Sequence, residues 1–179
     1  MGNLCEASHF REPDTRGAVT YNVKDAALLQ RLNQIEQFEF TFPFYRMRID
    51  QYEGRVKRYV NKEDENTVSL RQLLYSFEDD APWSDLQDET SVLFRLFNEP
   101  ELRDADKPDC LSVHKLICLG LMLCGGTYQL KARVYYDVVQ DNMQQKISSS
   151  DKDFKVAFEN MIILGCYMVP RIFRRESGA

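Results

Sequence analysis

Residues 104–127 read Asp-Ala-Asp-Lys-Pro-Asp-Cys-Leu-Ser-Val-His-Lys-Leu-Ile-Cys-Leu-Gly-Leu-Met-Leu-Cys-Gly-Gly-Thr. A polar loop ends in an aliphatic residue, Leu111. Ser112 follows, and then an apolar run begins. Leu111 suits a short strand that pairs with a neighbouring loop. Ser112 suits an N-cap, because its hydroxyl can accept from N–H groups that the first helical turn leaves free. Val113–Cys124 is then expected to be a helix. Gly125-Gly126 closes it, since glycine tolerates the left-handed conformation past a helix end. Thr127 is positioned to cap the next helix.

The same unit recurs on both sides. Val68-Ser69 precedes one apolar-periodic run and Ile147-Ser148 precedes another. The three units lie about 40 residues apart, within the range of tandem helical repeats. Periodicity also predicts helices over 25–37, 46–60, 89–97, 130–139 and 154–169. Ser69 and Gln72 have capping-box spacing, and so do Ser84 and Gln87. Phe38, Phe40, Phe42 and Phe44 alternate at period two, as in a short strand or extended clamp. Pro43 argues against a central strand. Burial is the favoured role for these rings, because large apolar groups gain most from leaving water.

On these residues the chain resembles the EF-hand superfamily, in particular calmodulin, the neuronal calcium sensors and the calcineurin-B-like proteins. Ser112–Thr127 looks like an exiting helix followed by the small-Gly-Thr joint between the second and third hands of neuronal sensors. Tyr128–Asp137 looks like the next entering helix. The resemblance covers about residues 45–165. It implies an all-α fold of EF-hand-like helix–loop–helix units with very short β-pairings between loops. The plainer alternative is a set of ordinary helical hairpins.

A calcium loop needs oxygen ligands at positions 1, 3 and 5, a turn residue at 6 and a bidentate Glu at 12. Placing Val68, Leu111 and Ile147 at position 8 aligns three loops. The first, Asn61–Gln72, offers Asn61, Glu63 and Glu65 but ends in Gln72. The second, Asp104–Lys115, offers Asp104 and Asp106 but ends in Lys115, a cation where the metal wants an anion. The third, Gln140–Asp151, offers Asn142 and Asp151 between neutral glutamines. Asp104, Asp106, Asn142 and Asp151 are therefore weak candidate metal ligands. No bound cofactor is expected, and calcium only at low affinity.

Composition sets the remaining bounds. The chain has 179 residues, 44% hydrophobic and 28% charged, with a net charge of −5. That is an ordinary globular balance. It disfavours nucleic acid as the main partner, which would need a concentrated basic surface. The five cysteines show no metal-ligand spacing, and Cys118, Cys124 and Cys166 are expected to pack as small hydrophobes. No apolar run reaches the ~20 residues of a membrane span. A cytoplasmic location follows from these expectations.

Residues 1–21 read as a flexible tail, 22–170 as the helical domain and 171–179 as a basic tail. The start, Met1-Gly2-Asn3-Leu4-Cys5-Glu6, offers Gly2 for myristoylation and Cys5 for palmitoylation, although Glu6 stands where the acceptor pattern prefers Ser or Thr. Two chains would place the protein at the cytoplasmic face of a membrane. Enzyme chemistry finds little support, because His9 and His114 have no sequence neighbours that suggest a triad. The expected function is non-enzymatic protein binding, with an amphipathic helix as partner. Met122, Met161 and Met168 are candidates for an adaptable apolar groove or for core filling. The third loop has no evident fourth to pair with, so a homodimer is one expected way to cover it. The alternative function is a calcium sensor that exposes its groove on binding the ion.

Overall fold

The computed structural model describes residues 26–60, 66–139 and 152–178. Eight α-helices are named here in chain order. They are α1 Ala26–Glu39, α2 Ile49–Lys57, α3 Leu70–Ser76, α4 Val92–Phe97, α5 Val113–Leu123, α6 Tyr128–Val139, α7 Lys152–Ile162 and α8 Val169–Ser177. Two three-residue strands, β1 Thr67–Ser69 and β2 Cys110–Ser112, form the one sheet among the described residues. The fold is mostly helical, as the sequence implies.

The strands pair antiparallel, with Thr67 opposite Ser112, Val68 opposite Leu111 and Ser69 opposite Cys110. The two aliphatic residues aligned at position 8 therefore face each other. The Val113 N–H donates to Asn66 O at 2.9 Å and extends the ladder. Both serines then act as caps. Ser69 Oγ accepts from the Gln72 N–H at 3.2 Å, and Ser112 Oγ accepts from the Lys115 N–H at 3.4 Å. A strand residue followed at once by a capped helix turns the chain sharply, and this sends α3 and α5 away from the sheet.

Helix α5 is the centre of the fold. It packs against α2, α6 and α7, and Leu116, Cys118, Leu119 and Gly120 lie on it without exposure to solvent. Its closest neighbour is the Tyr52 ring of α2. A Cβ on Gly120 would come within 2.4 Å of Tyr52 Cδ1. Glycine is needed there so that the ring can lie against the helix backbone. At the end of α5, Cys124 is extended, and the Gly125 N–H donates to Met47 O at 3.0 Å. The positive φ falls one residue later, at Gly126 with φ 144°. The Leu130 N–H donates to Thr127 Oγ1 at 3.2 Å, which is the expected cap.

The phenylalanine run is not a strand. Residues Pro43–Arg46 form a 3₁₀ turn; Phe42 and Phe44 are buried beside each other, and Phe44 meets Tyr52, Trp83 and Phe97. Proline at the first position of the turn costs no hydrogen bond there. The second expected capping box also fails. Ser84 lies inside a 3₁₀ helix over Ala81–Gln87, and Ser91 caps α4 by accepting from the Phe94 N–H at 2.9 Å.

The C-terminal region departs most from expectation. Residues 171–177 are helical rather than a tail. Between α7 and α8, Ile163–Met168 forms a π-helical segment, and Pro170 follows in the first turn of α8. Proline lacks the N–H an α-helix would use and crowds the carbonyl four residues back. The wider π turn accommodates both effects, so the helix continues. The joined Lys152–Ser177 helix has 26 residues; its most apolar 18-residue window has a mean hydropathy of 1.4, and 28% of that window is buried. By length and composition alone it meets the requirement for a membrane span that the sequence reading assigns to no segment.

Arginines fasten α8 to the body. Arg171 donates to Glu101 at 2.6 Å and to the buried Glu99 at 2.6 Å, and Arg175 donates to Glu99 at 2.7 Å. Arg171 holds the Glu101 carboxyl below its ordinary value of 4.5. A lowered folded-state value stabilises the fold above the unfolded value, and this contribution is lost as pH falls through the folded one. Glu101→Gln should therefore lower the urea midpoint at pH 7, and the difference from the parent should close as the solution is acidified below the carboxylate range.

Packing at Gly120 gives a second test. Gly120→Ala should cost about 1–3 kcal/mol in denaturant unfolding, because Tyr52 must move. Gly54, on α2, faces open space. Gly54→Ala should instead be neutral or stabilise by up to about 1 kcal/mol through helix propensity.

Candidate functional site

Of the candidate ligands, Asp104 and Asp106 lie among the described residues. Asn142, Asp151, Gly2 and Cys5 lie outside them, as do His9, Asn61, Glu63 and Glu65. The Asp104 carboxylate closes its own turn. Oδ1 accepts from the Asp106 and Lys107 N–H groups, each at 3.0 Å. The Asp104 N–H donates to Cys110 O at 2.9 Å. Asp106 is exposed.

The residues aligned at position 12 are engaged elsewhere. The Lys115 ammonium donates to Arg103 O at 2.7 Å, reaching back across the second loop. Gln72 turns onto its own helix start. Its Oε1 accepts from the Ser69 N–H at 2.9 Å and from the Ser69 hydroxyl at 2.8 Å. Among the described residues no group of three His, Cys, Asp or Glu side chains is placed to share a metal ion.

His114 has a cysteine one helical turn away, and folding brings an amide to it that sequence separation conceals. Cys118, one helical turn on, places its sulfur 3.9 Å from His114 Nδ1, and Asn160 of α7 places Nδ2 3.2 Å from the same atom. The residue types match a cysteine–histidine–asparagine nucleophile site. The environment does not, because attack requires a thiolate. Burial pushes the Cys118 thiol up to about 12 and lowers His114 below its ordinary 6.5. Cys118 Sγ instead donates to Ala157 O at 3.8 Å, which ties α5 to α7.

The cysteines divide by exposure. Cys118 and Cys124 are buried, as expected. Cys166, in the π segment, is exposed, contrary to expectation. Ellman's reagent should label the exposed Cys166 in the native protein, while Cys118 and Cys124 label only on unfolding. Mass spectrometry of the labelled peptides reads this directly.

An apolar groove runs between α5, α6 and α7. It holds a cavity of about 370 Å³ lined by Leu121, Lys131, Ala132, Tyr135, Phe154, Phe158 and Met161. The Tyr135 and Phe154 rings meet edge to face at 5.7 Å and form its wall. Tyr135 OH donates to Phe154 O at 3.4 Å, which leaves the apolar part of the ring toward the groove. Phe158 is 52% exposed at the rim. Of the three methionines expected at such a surface, Met161 lines it, Met168 is in the core and Met122 packs beneath Gly165. The aromatic lining is not evident from the sequence, where Tyr135 and Phe154 stand on either side of a polar loop.

Comparison with protein-family models, with curated proteins and with solved structures finds no match in any of the three.

Proposed function

We propose that this chain is a non-enzymatic, EF-hand-like adaptor that binds an amphipathic helix and does not depend on calcium. The observation that carries this reading is the pairing of Val68 with Leu111 beside a lysine at position 12. Loop pairing and serine caps join the β1–α3 and β2–α5 units, and this supports an EF-hand-like frame. Lys115 places a cation where calcium would need its bidentate carboxylate, and an ammonium repels a divalent ion strongly at such range in a partly buried site. With no ion to bias two conformations, the groove stays in one state. Its apolar lining suits a helix that presents anchors at i, i+4 and i+7. Acylation at Gly2 and Cys5 would place the adaptor at a cytoplasmic membrane face, since two chains together exceed the marginal hold of one.

Calorimetric titration with calcium should give no heat of binding in the micromolar range. An apolar dye should bind the groove equally in chelator and in calcium. Micromolar calcium binding, or dye fluorescence that rises with calcium, would instead establish a sensor.

A further inference from the structure

His114 sits at the seam where α7 packs on α5, and its ring is half-buried there. Its Nδ1 lies 3.2 Å from Asn160 Nδ2 and 3.9 Å from the Cys118 sulfur. An amide NH2 group only donates, so the shorter contact is a hydrogen bond only while Nδ1 carries a bare lone pair. The neutral imidazole therefore ties α5 to α7. A proton on Nδ1 would set two donors against each other. Turning the Asn160 amide would offer an oxygen, yet the cation would still be held away from water. Charged groups act on the ring from both helices. Asp153 of α7 favours the cation and Lys115 of α5 opposes it, while burial outweighs Asp153 and holds the ring below its ordinary 6.5. From α6, Tyr135 acts on the Cys118 sulfur.

Helix α7 supplies Phe154, Phe158 and Met161 to the groove, so loosening this seam takes away one groove wall. We propose that protonation of His114 loosens α7 from α5 and opens the groove, making the seam a switch for mildly acidic conditions. As regulation of the groove, this rests on the helix-binding role proposed above; the behaviour of the seam itself does not. When α7 opens, the ring regains water and its ordinary value. The open form then binds the proton more tightly than the closed one, so docking of α7 weakens as pH falls through 6.5. Composition narrows the cause. The chain has two histidines, His9 and His114, and histidine is the side chain whose ordinary range lies between about pH 5 and 8.

Native-state hydrogen exchange of the full chain tests this, read as protection factors, which remove the intrinsic pH dependence of exchange. From about pH 7.5 to about pH 5.5 the α7 amides should lose protection severalfold, to a limit of about tenfold that one proton sets. The amides of α3, on the β1 side of the ladder, should keep theirs. His114→Gln should abolish the loss. Asn160→Asp puts a carboxylate beside Nδ1, which favours the cation, and should shrink or reverse the loss. Circular dichroism at neutral pH should show both variants folded; where one does not fold, the other decides. Unchanged α7 protection in the parent, an equal loss in α3, or a full loss that persists in a folded variant would overturn the proposal. The exchange needs no partner helix, so its failure leaves the helix-binding role to the dye-binding result.

Discussion

The short ladder between β1 and β2 fixes where the helices can go. Three residue pairs, centred on Val68 and Leu111, bring together two loops that lie far apart in the chain. Isolated, such a ladder would be marginal. It persists because each strand ends in a serine that starts a helix, and because Val68 and Leu111 are themselves buried. Backbone groups at the loop ends are thereby satisfied, and α3 and α5 leave the sheet at fixed angles. The packing of α5 against α2, with the Tyr52 ring on Gly120, follows from that placement.

Electrostatics then does two different jobs. At α8, Glu99 is buried between Arg171 and Arg175, and a buried carboxylate without partners would be strongly unfavourable. The pairs therefore hold the last helix in register more than they add net stability. In the second loop, Lys115 reaches Arg103 O. The Lys115 ammonium closes the loop with a covalently attached cation, which in the reading proposed above takes the place of a diffusible one. This is the physical content of the proposed loss of calcium dependence.

Much of the architecture was legible in the sequence because it depends on local rules. The aliphatic-Ser unit anticipated both strands, both caps and their pairing. Gln72 and Thr127 were legible as capping partners for the same reason. The phenylalanine run is not extended because it straddles three local structures, with Phe38 in α1, Phe40 in the turn after it and Phe44 in the 3₁₀ segment that Pro43 starts. The extension of α8 past Pro170 was hidden because a π segment has no simple sequence signal, and because the arginines that stabilise it pair with residues near 100. The His114–Cys118–Asn160 cluster and the groove required three dimensions. His114 and Cys118 share α5, but Asn160, Phe154 and Phe158 lie on α7, beyond α6, and only the packing of α7 on α5 brings them together.

The groove and the ladder are linked through α5, which carries Ser112 at one end and Leu121 near the other. If protein groups alone organise the paired loops, the groove is formed before any ion arrives. Hydrogen exchange of the backbone amides in the β1–β2 ladder, with that of Val113, measures this directly. Protection should be the same in chelator and in millimolar calcium. Protection that appears only when calcium is present would contradict a metal-independent frame.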